Sequence, residues 1–216
     1  MNTTPPIFEY SPLEEKLNIY THGFGFVMSV IGLGFFCFRQ SANTITIVSL
    51  IIFGVSLCLL YFASTAYHSA TKPIRRAALN IVDHAAIYVL IAGTYTPYTL
   101  VTLEGKTGWI LFGISWGIAL FGVILKLFFT GRYNILSTVL YVAMGWLIVF
   151  AYKPLLEALH PDGVLWLFAG GVSYTMGAIL YSIKKIPFNH AIFHVFVLIG
   201  SFCHFISVYF YVGIPS

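Results

Sequence analysis

A succession of long apolar stretches constrains this chain more than any other feature. Residues 17–38, 45–68, 78–103, 109–129, 136–152, 164–183 and 189–212 are each rich in Leu, Ile, Val, Phe and Gly and nearly free of charge. A helix needs about 20 such residues to cross the hydrocarbon core of a bilayer. A membrane β-barrel would instead show short segments of alternating polarity. Charged residues make up only 8% of the chain, against about 25% in a soluble domain. The pattern predicts an all-α membrane protein, a seven-transmembrane-helix bundle. The connections are short, so residues 1–216 read as one domain with a short segment, 1–16, ahead of the first span. The fifth span is the shortest. The acidic lead of Glu9, Glu14 and Glu15 is unlike a cleavable signal peptide, which starts basic, so the first span is expected to stay.

Basic residues in the loops set the orientation. With the N-terminus inside, the inner face collects Lys16, Lys72, Arg75, Arg76, Lys126, Arg132, Lys184 and Lys185, and the outer face Arg39, Lys106 and Lys153. The bias predicts a cytoplasmic N-terminus and an outer C-terminus. Trp109, Trp166, Tyr152, Tyr209 and Tyr211 then form an outer aromatic belt. The net charge of +4 reports topology and makes no nucleic-acid face. Cys37, Cys58 and Cys203 all fall inside apolar spans, as an odd set of core thiols and not a disulfide framework. Paired glycines such as Gly113 and Gly117 suit close helix packing. No internal repeat supports a transporter built from duplicated halves.

Against this background the polar residues within the spans stand out. His190 and His194 are four apart on the last span, so they share a helix face about 6 Å apart. With the topology above, Glu15, Asn18, His22, Ser64, His68, Asp83 and His84 all fall near the same inner face. Ionisable residues at membrane depth are costly and mark functional sites. Three neutral imidazoles make a zinc site whose fourth position can hold water, and zinc lowers the pKa of that water to about 7. His68, His190 and His194 are the expected ligands and Asp83 the carboxylate that orients the water. Ser64, one turn before His68, is placed to donate to the water or to a substrate carbonyl. Imidazole also suits copper, iron and nickel. Asp83 has an alternative partner in Arg75 or Arg76, and His22 and Asp83 are both candidate fourth ligands. His84 points about 100° away from Asp83 and is left out of the metal shell. His204 reads as a buried hydrogen-bonding residue, and His160, beside Pro161 and Asp162, as solvated.

The ordered set of these residues resembles a known family. Glu15-Lys16-Leu17-Asn18-Ile19-Tyr20-Thr21-His22, then Ser64-x-x-x-His68, Asp83, and His190-x-x-x-His194 with His204 ten residues on resemble the motifs of the progestin and adipoQ receptor family. The short N-terminus and the wording around His190 are most similar to its bacterial hemolysin III branch. The resemblance runs from about Pro12 to Val212. It implies a seven-helix bundle with cytoplasmic N-terminus, and zinc near the inner face held at His68, His190 and His194. It also implies an aspartate at Asp83 on the zinc-bound water, and a serine at Ser64. A wider grouping with alkaline ceramidases implies amide hydrolysis of a membrane lipid. The long N-terminal region of the receptors is absent here, which puts hormone binding in doubt and leaves the zinc site untouched.

The reading is therefore a multi-pass protein of the bacterial inner (plasma) membrane, with a zinc-dependent hydrolase of a lipid amide or ester as its first functional expectation. Its partner is a membrane lipid as substrate or ligand, with no nucleic acid or protein partner expected. The alternatives are a zinc-containing sensor of membrane state without turnover, and a hemolysin III-type cytolytic protein. A retinal protein needs a lysine in the last span, and none follows His190. A bis-histidine haem on His68 and His190 would leave Ser64 and Asp83 without roles.

Overall fold

A computed structural model of the protein describes residues 10–40, 43–130 and 134–213. Arg132 and Glu9, which enter the charge arguments above, lie outside those residues. Among the described residues there is no strand, and seven helical segments are long and apolar enough to cross a membrane. The helices are α1 (Pro12–Phe38), α2 (Thr44–Ser69), α3 (Pro73–Pro97), α4 (Gly105–Phe129), α5 (Asn134–Gly145), α6 (Tyr152–Ala158), α7 (Pro161–Ser182) and α8 (Asn189–Tyr211). In space α8 packs between α7 and α1, α1 against α2, α2 against α3 and α3 against α4, while α5 touches both α3 and α7.

Helices α1 and α4 are inside-out by the standards of a soluble protein. The buried positions of α1 are Glu14, Asn18, His22, Gly25, Ser29, Gly32 and Phe36, a stripe spaced three and four apart. Its exposed positions are Leu13, Leu17, Phe24, Val27, Val30, Ile31 and Phe35. Lipid is as apolar as leucine, so small and polar residues gather at the helix contacts and bulky ones face outward. On α4 the same stripe reads Gly108, Leu111, Ser115, Ala119, Gly122 and Lys126. A side chain at Gly108 would run into the backbone carbonyl of Thr99, and one at Gly170 into the ring of His204, so both glycines are required by close approach.

Helix ends follow local chemistry. α1 begins at Pro12, five residues before the apolar run, because Ser11 Oγ accepts from Glu14 N at 3.2 Å and Pro12 suits the first turn. α3 passes Pro97 and continues as a π-turn over Tyr98–Thr102, closed by Leu103 N donating to Tyr98 O at 2.8 Å. A proline without an N–H makes such a widening possible. The largest departure from expectation is the fifth span. It covers Ile135–Ala158 but is broken into α5, a 3₁₀ turn over Leu147–Ala151 and α6. Backbone groups freed at membrane depth need new partners, and Tyr95 of α3 supplies one. Its hydroxyl donates to Gly145 O at 2.8 Å and accepts from Ile148 N at 2.7 Å. At the far end of the bundle Arg39 donates to Val208 O at 3.2 Å and Val212 O at 2.6 Å, capping α8 with a residue from the end of α1.

Candidate metal centre

Three buried histidines converge where α2 meets α8. His190 Nε2 lies 3.1 Å from His68 Nε2 and 3.1 Å from His194 Nε2, and one nitrogen from each ring falls within 4.8 Å of the others. The i, i+4 spacing aligns His190 and His194 on α8, and the α1–α2–α8 contacts bring His68 to them. One imidazole nitrogen carries either a proton or a lone pair, so His190 Nε2 cannot satisfy two other ring nitrogens by hydrogen bonding alone. A tetrahedral zinc shell with bonds of about 2.0–2.1 Å separates its nitrogens by about 3.3 Å. The observed spacing fits such an ion.

The distal nitrogens of His68 and His194 agree with that fit, while Nδ1 of His190 has no hydrogen-bond partner among the described residues. His68 Nδ1 donates to Glu15 Oε2 at 2.7 Å, and Arg76 pairs with the other oxygen of Glu15. Asn18 Nδ2 lies 3.4 Å from the same His68 nitrogen. Thr21 Oγ1 donates to Leu17 O at 2.7 Å, leaving its lone pairs for His194 Nδ1 at 3.4 Å. Protons on His68 Nδ1 and His194 Nδ1 leave both Nε2 lone pairs directed at the centre. Carboxylate and hydroxyl partners of this kind fix ring orientation and raise ligand basicity at metal sites. Glu14 Oε1 accepts from the backbone N–H of His190 at 3.3 Å, anchoring the open first turn of α8. Tyr10 stacks on the His190 ring at 4.7 Å, and burial pushes its phenol well above the usual range, so it stays neutral.

Asp83 and Ser64 are buried and line a cavity with His22, His190 and His194. The Ser64 hydroxyl faces the Asp83 carboxylate without a hydrogen bond of ordinary geometry among the described residues. The pair stands beside space a ligand can enter. The cavity of about 160 Å³ continues past Leu90, Ile91, Ile148, Phe168 and Val197 to Tyr98 and His204. One water needs about 10–15 Å³ on this measure, so the space is several times larger than a single water requires.

The structure brings His68, His190 and His194 into one group, with Asp83 and Ser64 in the wall beside it. Among the described residues neither Asp83 nor His22 joins the three. His22 stacks on His194 with centroids 3.5 Å apart and an interplanar angle of 5°. The expected alternative of Asp83 with Arg75 or Arg76 is not formed: Arg76 holds Glu15, and Asp83 lies 3.8 Å from His84 Nδ1. His84 donates from Nδ1 to Asn80 O at 2.9 Å, outside the metal group. His204 Nε2 donates to Leu167 O at 3.1 Å, the buried hydrogen-bonding role expected of it. His160 is exposed and accepts from Asp162 N at 3.2 Å.

Two residues gain roles that the spacing did not reveal. Glu15 was placed near the inner face without a partner, and it holds His68. Lys126 was counted as a loop charge, and it is 3% exposed inside the cavity wall. Its place in the Gly108–Gly122 stripe of α4 is the signal that could have located it.

Comparison with known proteins places the whole arrangement in a family. The profile of the family described as haemolysin-III related matches residues 10–205. The chain is 48% identical to the hemolysin-3 homolog of Bacillus subtilis (strain 168) over 92% of its length and 94% of the relative's. It is 46% identical to hemolysin-3 of Bacillus cereus, over 92% of each chain. The human monocyte to macrophage differentiation factor is 27% identical over 92% of this chain and 84% of its own. No solved structure matches. With seven membrane-crossing helices and a profile match along nearly its full length, the chain is a multi-pass plasma-membrane protein and belongs to the haemolysin-III-related family.

Proposed function

We propose that His68, His190 and His194 hold a zinc ion near the cytoplasmic face, and that the protein is a zinc-dependent hydrolase of a lipid amide or ester. The observation that carries the reading is the meeting of three imidazole nitrogens beside a largely apolar cavity that His190 and His194 line, with Asp83 and Ser64 in the same wall. A zinc ion bound there supplies Lewis-acid polarisation of a carbonyl and activation of water. The protein's residues supply the rest. The apolar wall takes the hydrocarbon chain and sets the depth of the carbonyl. Asp83 receives the proton of the attacking water and passes it to the leaving amine or alkoxide. Ser64 donates to the carbonyl oxygen, where charge develops. Glu15, itself held by Arg76, keeps the His68 ring in the tautomer that presents Nε2.

The test is hydrolysis of a long-chain ceramide and of a matched ester by purified protein in detergent. Asp83→Ala and His194→Ala are each expected to cut turnover at least 100-fold. Turnover that survives both changes contradicts the proposal. Stoichiometric zinc with no turnover of either lipid class favours instead a zinc-containing sensor of membrane state.

A further inference from the structure

The zinc-centre account leaves Lys126 without a use. It lies one turn from the inner end of α4, where a lysine normally extends its stem to reach water. Here the side chain turns inward along the buried stripe and lines the cavity that Asp83 and Ser64 also line. Its ammonium donates to Ser137 Oγ at 2.6 Å and lies 5.9 Å from the centroid of the Tyr141 ring. Neither group carries a charge.

Among the described residues no carboxylate is in ion-pair contact with Lys126: Glu15 contacts Arg76 and His68, Asp83 contacts His84, and Asp162 contacts His160. An ammonium has three donors, and one hydroxyl satisfies only one of them. Burying a cation at membrane depth without a counter-charge is expensive, and such residues mark the path or seat of a ligand. The space beside Lys126 is the polar end of a cavity whose remaining wall is largely apolar.

We propose that Lys126, with Ser137 beside it, forms an anion-binding subsite, and that the amphiphile occupying the cavity carries an acidic head group, a carboxylate or a phosphate. Lys126 belongs to the α4–α5 side of the bundle and the histidines to the α2–α8 side. An acidic head group is therefore bracketed between them, with its chain along Leu90, Ile91 and Val197. The subsite concerns binding and stands whether or not the lipid is turned over.

Equilibrium binding to the purified full-length protein in a neutral detergent tests it with three probes of equal chain length: oleate, 1-oleoyl lysophosphatidate and monoolein. Wild type is expected to bind at least one of the two acids tenfold or more tighter than neutral monoolein, and the preferred acid tells carboxylate from phosphate. Lys126→Met is expected to shrink that preference below twofold while leaving monoolein affinity within twofold, and Lys126→Arg to retain it. Equal binding of all three probes by wild type overturns the proposal, and that comparison needs no variant. A tenfold preference that persists in Lys126→Met, with an unchanged melting temperature, also overturns it, because the acid is then held at the histidines.

Discussion

At the scale of single residues, the proposed metal centre depends on what stands behind its histidines. His68 has one nitrogen committed to Glu15 at 2.7 Å, and Arg76 holds that carboxylate from α3. Outer partners of this kind are worth about 10–100-fold in metal affinity. Glu15→Gln keeps the shape and one acceptor but loses the charge. It is expected to weaken zinc by about that factor in a chelator competition, and Glu15→Asp, one methylene shorter, to fall between the two. Wild-type affinity in Glu15→Gln would remove the carboxylate from the account. The histidine pair on α8 was legible because an i, i+4 spacing is fixed by the helix itself. The Glu15–His68 contact was not, because it joins residues on two helices and depends on how α1 rotates against α2. Lys126 was misread for a related reason: a charge three residues from a helix end looks like a loop residue until the stripe of small residues beneath it is followed.

At the scale of elements, the seven spans could be read from hydropathy because lipid demands long, uninterrupted apolar helices. The break in the fifth span could not. Residues 145–152 are apolar throughout, apart from the ring polar atoms of Trp146 and Tyr152, and nothing local signals that the backbone leaves the helix. The break is held from outside, by the hydroxyl of Tyr95 on α3 bridging Gly145 O and Ile148 N. Tyr95→Phe leaves a buried carbonyl and a buried N–H without this partner, at about 1–3 kcal/mol. Its melting temperature in detergent is expected to fall by several degrees. An unchanged melting temperature would mean that the turn is held by something other than Tyr95.

At the scale of the whole molecule, the three histidines tie the second membrane helix to the last, and the remaining polar residues of the site come from α1, α2 and α3. A metal bound there stabilises the bundle by linkage, since the unfolded chain offers no assembled site. Removing it with a chelator is expected to lower the melting temperature, and adding zinc to restore it. Its retention should weaken on acidification, because the ligating imidazoles must be neutral. The orientation proposed from loop charges, with the N-terminus in the cytoplasm, has its own check. In a background lacking Cys37, Cys58 and Cys203, a cysteine at the exposed Lys185 is expected to react with an impermeant thiol reagent only from the inside. One at the exposed Lys106 is expected to react only from the outside, and the reverse pattern would invert the bundle and put the histidines at the outer face. Metal content is the most direct measurement of all, made by mass spectrometry on gently purified wild type beside a His190→Ala/His194→Ala double variant. The account predicts about one zinc per chain in wild type and none in the folded double variant. Wild type without stoichiometric metal, or a double variant that keeps it, would contradict a zinc centre at His68, His190 and His194.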